Sequence, residues 1–362
     1  MIYLDWAATA PLCNTAKQAI IEHLDDFGNP SSTHELGRQA RVLIENARER
    51  IAKCINAESN EIYFTSGGSE ANTLALNQHY YMARTISTNF EHHSVRADKT
   101  APVNKGGFIE PDKLFQRVSS MYDSVSCMYV NNEIGTVQPI REIAQLITNE
   151  TNVYFHVDAV QAMPYIPIDV KALGCDMLSA SGHKFGAPKG IGFLYIKDRV
   201  QINPIIHGGK QELGARPGTE NVLGIISMAA ALEDTVEHME ERNKHIKCLR
   251  DKMLDKLLQI PGSYLNGSLE NRVPGNINIR FSGVSGARLV TLCSLYGVYI
   301  SSGSACNEGI SMPSHVLKAI GLSDEEALSS VRITIGHTNA EEEIDQAAKI
   351  ITALVERIRN ED

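Results

Sequence analysis

A lysine, an aspartate, a histidine and a cysteine sit in short segments of this 362-residue chain where their side chains gain unusual chemistry. Residues 179–192 place Lys184 in a turn rich in Gly, Ser and His between two apolar runs. An ammonium group held between strands loses hydration, its pKa falls, and the neutral amine can form a Schiff base. The competing reading is a loop lysine that snorkels to water. The neighbours favour the first, because Ser181 and His183 suit a phosphate and the glycines allow close backbone approach. Asp158 stands where the apolar run 154–157 ends, at the edge where open α/β sheets bind ligands. It is either a helix cap or the counter-ion that keeps a pyridine nitrogen protonated, the feature that makes pyridoxal phosphate an electron sink. Gln161 follows within reach of that cofactor's phenolic oxygen.

Four further segments belong with these. Residues 61–73 read as a strand, a Ser66-Gly67-Gly68 turn and a helix start with Ser69 as N-cap, so the Gly68 and Ser69 amides form an anion site. His92 and His93 are either a surface pair or include a ring that stacks on an aromatic cofactor and moves protons. Asn131-Asn132-Glu133 follows another apolar run and reads as a turn or a ligand contact. Cys306 lies in Ser301-Ser302-Gly303-Ser304-Ala305-Cys306-Asn307, a stretch too poor in apolar side chains to be core. An exposed, reactive thiol is the better reading there.

The elements that must position these groups alternate between helix-like and strand-like patterns, which is the α/β signal. Residues 126–130, 153–157, 177–180 and 192–196 lack period-two alternation, as strands buried on both faces of a mostly parallel sheet do. Residues 221–258 stay helical while changing from apolar to charged, as a helix leaving one domain for the next would. We therefore divide the chain into an N-terminal segment, 1–15, packing with the small domain, a large cofactor domain, 16–258, and a smaller α+β domain, 259–362. The formal charge of −9 argues against a nucleic-acid backbone as direct partner. No run is apolar for the length of a membrane span, and residues 1–10 carry no signal pattern. Seven scattered cysteines without a C-x-x-C pair point to reduced thiols in a cytoplasmic setting, and twelve histidines show no metal-ligand spacing.

In this order the segments resemble the cysteine desulfurases of the nitrogen-fixation and iron-sulfur-cluster type. These lie within the aminotransferase class V group of pyridoxal-phosphate enzymes. The resemblance runs from Tyr3-Leu4-Asp5 through Gly28-Asn29-Pro30, 65–72, 91–95, 131–135, 158–161, 181–184 and 216–221 to 301–306 and Ser330-Val331-Arg332. It implies a type I fold, a homodimer and pyridoxal 5'-phosphate bound to Lys184. His92 would stack on the ring and assist proton transfer, Asp158 would pair with the ring nitrogen and Gln161 with the phenolic oxygen. Gly68, Ser69, Ser181 and His183 would hold the phosphate, with Thr219 supplied across the dimer. Arg332 would clamp the substrate carboxylate, Asn132 would sit beside cofactor and substrate, and Cys306 would be the nucleophile.

The implied reaction turns L-cysteine into L-alanine and leaves a persulfide on Cys306, for transfer to an acceptor protein. Iron-sulfur cluster assembly, tRNA thiolation and DNA phosphorothioation all draw on this chemistry. A cysteine pKa near 8.5 leaves a small thiolate fraction at neutral pH, which makes His92 a reasonable activating base. A lyase on the same scaffold would share Lys184 and Asp158 without needing the 304–306 loop. A catalytically idle scaffold would have lost one of Lys184, His92, Asp158, Cys306 or Arg332. The segments 69–92 and 93–131 are shorter than the family pattern, and Trp6 stands where smaller residues are common.

Overall fold

The computed structural model describes all residues except 78–83, 120–122, 151–152, 199, 202, 303–305, 308–309 and 362, and leaves the side chains of 148–150, 306, 307, 310 and 311 undescribed. A seven-stranded sheet is built from β1 (Ile62–Thr65), β2 (Thr85–Thr88), β3 (Lys99–Ala101), β4 (Ser124–Met128), β5 (Tyr154–Asp158), β6 (Met177–Ser181) and β7 (Gly192–Ile196). Its order is β1-β7-β6-β5-β4-β2-β3, and β7 alone runs against its neighbours. Every residue of β4, β6 and β7 is buried, which is why these runs show no alternation. Because β1, β2, β4, β5 and β6 share one direction, the loops carrying Gly68, His92, Asn132, Gln161 and Lys184 all leave the same sheet edge.

A second sheet is antiparallel throughout: β8 (Ser263–Leu265), β9 (Asn276–Phe281), β10 (Ser301–Ser302) and β11 (Ser330–Thr334), in the order β10-β11-β9-β8. Arg332 lies on the central strand β11, between Asn278 and Ser301. Each sheet has its own core. The first gathers Phe90, Val125, Phe155, Leu178 and Phe193, and the second Ile277, Phe281, Val331, Ile333 and Ile351. The N-terminal residues Ile2 and Leu4 pack into the second core, and Asp5 bridges to Thr334.

The helical run 221–258 divides at His238 into α1 (Val222–Glu237) and α2 (Met239–Leu258). Asn221 caps α1 by accepting the Gly224 amide at 3.0 Å. Ile225, Met228 and Leu232 of α1 enter the first core, whereas Ile246, Leu249 and Met253 of α2 enter the second. By packing, the change of core therefore falls at His238, and α2 lies with the small unit rather than with a large domain reaching 258. The reason is that α2 is amphipathic, and its apolar stripe matches the face of the second sheet.

Trp6 finds room through Gly336. The indole is buried and tilted against His337 at 5.2 Å, and a Cβ on residue 336 would fall 1.9 Å from its ring. No helix among the described residues is long and apolar enough to cross a membrane.

Candidate active site

One cavity of about 290 Å³ opens at the shared sheet edge. Gly68, Ser69, His92, Asn132, Asp158, Gln161, Ser181, His183, Lys184 and Arg332 all line it. Ten residues read from scattered motifs thus converge, together with Ala7, Ala8, Asn72 and Met128. Thr219 does not join them. It is exposed, on a loop fixed by buried Glu212, which receives Arg48 through two 2.8 Å bonds, and by Glu220 paired with Arg41 at 3.0 Å. The Cys306 side chain lies outside the described residues; its backbone pairs antiparallel with that of Ser311.

Lys184 ends a single helical turn that follows β6. Its Nζ donates to Ala7 O at 2.6 Å and Ala8 O at 2.9 Å, which rules out a lysine snorkelling to water. Burial first, and then Arg332, lowers its pKa to about 8. An amine with that pKa is a usable nucleophile and base near neutral pH.

Asp158 closes β5 and is buried. Its Oδ1 accepts the Val160 amide at 3.0 Å, the local turn contact expected of a cap. Its Oδ2 accepts from Asn72 Nδ2 at 2.7 Å. Burial raises its pKa, while Asn72 and Val160 pull it back. The same Asn72 amide donates to Ser94 Oγ at 2.9 Å, and Ser94 Oγ lies 2.6 Å from His92 Nδ1. The Ser94 amide also donates to His92 Nδ1 at 3.1 Å. An amide N–H only donates, so Nδ1 is the acceptor and the neutral ring carries its proton on Nε2. Burial lowers the His92 pKa and keeps the ring neutral. Asn72 and Ser94 therefore couple the acid to the histidine, through an Asn72–Asp158 contact between residues 86 positions apart that no local motif reveals.

The helix after β1 spans Gly68–Leu76 with Gly67 as its N-cap, so Ser69 sits inside the first turn rather than at the cap. Gly67 has φ 151°, which lets the chain enter the helix two residues earlier. The Gly68 and Ser69 amides are then free first-turn donors. A Cβ at Gly68 would meet Val160 at 2.7 Å, so the turn is packed tightly against the loop after β5. His183 faces Thr9 at 3.2 Å, and burial lowers its pKa to about 4. Gln161 donates to Ala7 O at 2.9 Å.

Arg332 reaches the cavity from the second sheet. It donates to Asn132 O at 3.0 Å and pairs with Asp5 Oδ1 at 2.9 Å, while its buried Nε has no partner. Asp5 is a site residue that sequence reasoning left without a role. The signal was weak, a lone acid after a two-residue strand.

The aminotransferase class-V family model matches residues 2–347. The chain belongs to this family, in its cysteine desulfurase branch. A cysteine desulfurase named IscS from Methanosarcina thermophila is 40% identical over 376 residues, covering 99% of this chain and 93% of that protein. A solved structure titled a NifS-like protein superposes with a TM-score of 0.92 at 33% identity, covering 98% of this chain and 99% of that one. One titled SspA in complex with cysteine gives 0.80 at 32%, covering 94% and 100%. The type I fold of pyridoxal-phosphate enzymes follows from this membership, as does the class of cofactor.

The residues of this class-V chain fit that cofactor. Free first-turn amides with Ser181 and His183 suit its phosphate. A buried carboxylate aimed into the cavity suits a protonated ring nitrogen, and a lysine near pKa 8 suits its aldehyde. The orphaned Arg332 Nε leaves one guanidinium donor for a further anion.

Proposed function

We propose that this chain is a cysteine desulfurase that converts L-cysteine into L-alanine and leaves the sulfur as a persulfide on Cys306. The observation that carries the reading is the common cavity of Lys184, His92, Asp158 and Arg332, with the Lys184 amine at a pKa of about 8. When bound there, pyridoxal phosphate supplies an electron sink for the carbon next to the substrate carboxylate.

In this reading Lys184 would hold the cofactor covalently and, once the substrate amine has freed it, would take the proton from the substrate Cα. Asp158 would keep the ring nitrogen charged, Gln161 would hold the phenolic oxygen, and Gly68, Ser69, Ser181 and His183 would bind the phosphate. Arg332 binds the substrate carboxylate, which competes with Asp5 for the same guanidinium, and Asn132 orients the partners. His92 is the base that takes the Cys306 thiol proton. The Cys306 thiolate attacks the substrate sulfur. An S–S bond forms, the C–S bond breaks with its electron pair left on carbon, a proton is delivered to Cβ, and Lys184 returns a proton to Cα to complete alanine. One thiol and one cysteine become one persulfide and one alanine, so the step needs no external oxidant.

The working unit in this reading is a homodimer, with Thr219 of each chain contributing to the phosphate site of the other. Support comes from its exposure on an anchored loop, away from the cavity of its own chain. Sulfur then passes to an acceptor protein, in a cytoplasmic setting. The test is a Cys306→Ser protein. It keeps the visible absorption of bound cofactor and loses alanine production from cysteine; sustained turnover would move the nucleophile elsewhere.

A further inference from the structure

The two ends of the Cys306 segment are fastened to different cores. Upstream, Ile300 packs in the second core and Ser301 pairs with Arg332. Downstream, the helix α3 (His315–Ala319) sends Val316 and Leu317 into the first core. Two polar contacts fix the start of that helix. Buried Ser314 donates from Oγ to Glu133 Oε2 at 2.6 Å while accepting the Leu317 amide at 3.3 Å. His315 donates from Nε2 to Glu91 O at 2.9 Å, and its ring lies against His93 with centroids 4.5 Å apart.

The receiving groups are neighbours of the cavity residues. Glu91 and His93 flank His92, and Glu133 follows Asn132. They are also firmly held. Glu133 O accepts from Asn276 at 3.0 Å and Asn278 at 3.2 Å, and Asn131 Oδ1 accepts the Glu133 amide at 2.9 Å. Only seven residues lie between Cys306 and Ser314, so the eight steps reach at most about 28 Å at ~3.5 Å per residue. A tether of that length sets the local concentration of its thiol through where its ends are held.

We propose that Ser314 and His315 are positioning residues for sulfur transfer, fastening the downstream end of the Cys306 segment to the loops that carry His92 and Asn132. This rests on Cys306 being the nucleophile. Neither residue lines the cavity, so loss of either contact lowers the rate of sulfur removal without altering cofactor or cysteine binding.

The test uses holoenzyme with L-cysteine and dithiothreitol, measuring alanine. Ser314→Ala and His315→Ala each lower kcat by about tenfold, the population change that loss of one charge-assisted or buried hydrogen bond brings. KM for cysteine and the visible absorption of the cofactor stay as in the parent, and Ser314→Thr restores most of the lost rate. His315 is half-buried, so His315→Ala decides the matter if Ser314→Ala fails to fold. Parent-like kcat in both alanine variants, or a fall in kcat that follows a matching loss of bound cofactor, overturns the proposal. Cys306→Ser in the same assay separates the two ideas. If it stays active, the nucleophile assignment fails; if it is dead while both alanine variants are fully active, only the anchor fails.

Discussion

Replacing Lys184 by Met removes the ammonium whose burial the fold must otherwise bear, and the consequence for the cofactor-free protein can be worked out. Burial lowers the Lys184 pKa from 10.5 to about 8. At about 1.36 kcal/mol per pH unit, keeping that amine charged in the folded chain costs about 3 kcal/mol at neutral pH. The Ala8 carbonyl that now receives Nζ would lose its donor, whereas Ala7 O keeps that of Gln161; the loss returns about 1–2 kcal/mol. Cofactor-free Lys184→Met is therefore more stable than its parent at pH 7 by about 1–2 kcal/mol. The sign with pH follows from the depressed pKa. Between about 8 and 10.5 the unfolded chain binds the proton that the folded chain has released, so the parent gains stability as pH rises through that window. The advantage of Lys184→Met shrinks accordingly and vanishes or reverses by about pH 10. Urea denaturation of both proteins at pH 7 and pH 10, after removal of cofactor, reads both effects as shifts of the midpoint. A less stable Lys184→Met at pH 7, or a stability gap that does not change with pH, would refute the reasoning.

Two smaller perturbations follow from contacts between distant parts of the chain. Asn72→Ala removes the Nδ2 donor shared by Asp158 and Ser94, and the affinity for pyridoxal phosphate falls about tenfold or more in an absorbance titration; unchanged affinity would sever the acid from its partner. Gly336→Ala drives a methyl into Trp6 and lowers stability by about 1–3 kcal/mol in thermal melts, whereas the double change to Trp6→Ala and Gly336→Ala relieves the clash.

The chemistry of the site was legible because each group sits at the end of an apolar strand run or in a glycine turn, and one sheet edge collects such loops. Lys184 and Asp158 stand out by that local pattern, whereas His92 and Asn132 are left open by it and are singled out only by the family resemblance. The ties among them were not legible. Asn72 to Asp158, Arg332 to Asp5 and Ser314 to Glu133 join residues 86, 327 and 181 positions apart, and nothing in either local sequence announces the partner. Trp6 looked like a departure because its compensation, Gly336, lies at the other end of the chain. Helical periodicity continues across the break at His238, so only packing assigns α2 to the second core. Ser69 was placed one position outside its turn because Ser is a favoured cap, whereas the extended Gly67 backbone starts the helix earlier. The other cysteines are told apart by surroundings rather than spacing. Cys127, Cys175 and Cys293 are buried, and burial pushes the Cys175 and Cys293 thiols up to about 12, far from a usable thiolate.

The central claim is that sulfur leaves cysteine for Cys306. Holoenzyme mixed with one equivalent of sulfur-labelled cysteine, quenched by alkylation and mapped by peptide mass spectrometry, reads this directly. The account predicts one labelled sulfur on the peptide containing Cys306 for each alanine formed, with none on peptides of Cys13, Cys54 or Cys248. Label on another cysteine, or alanine formed with no protein-bound sulfur, would contradict it.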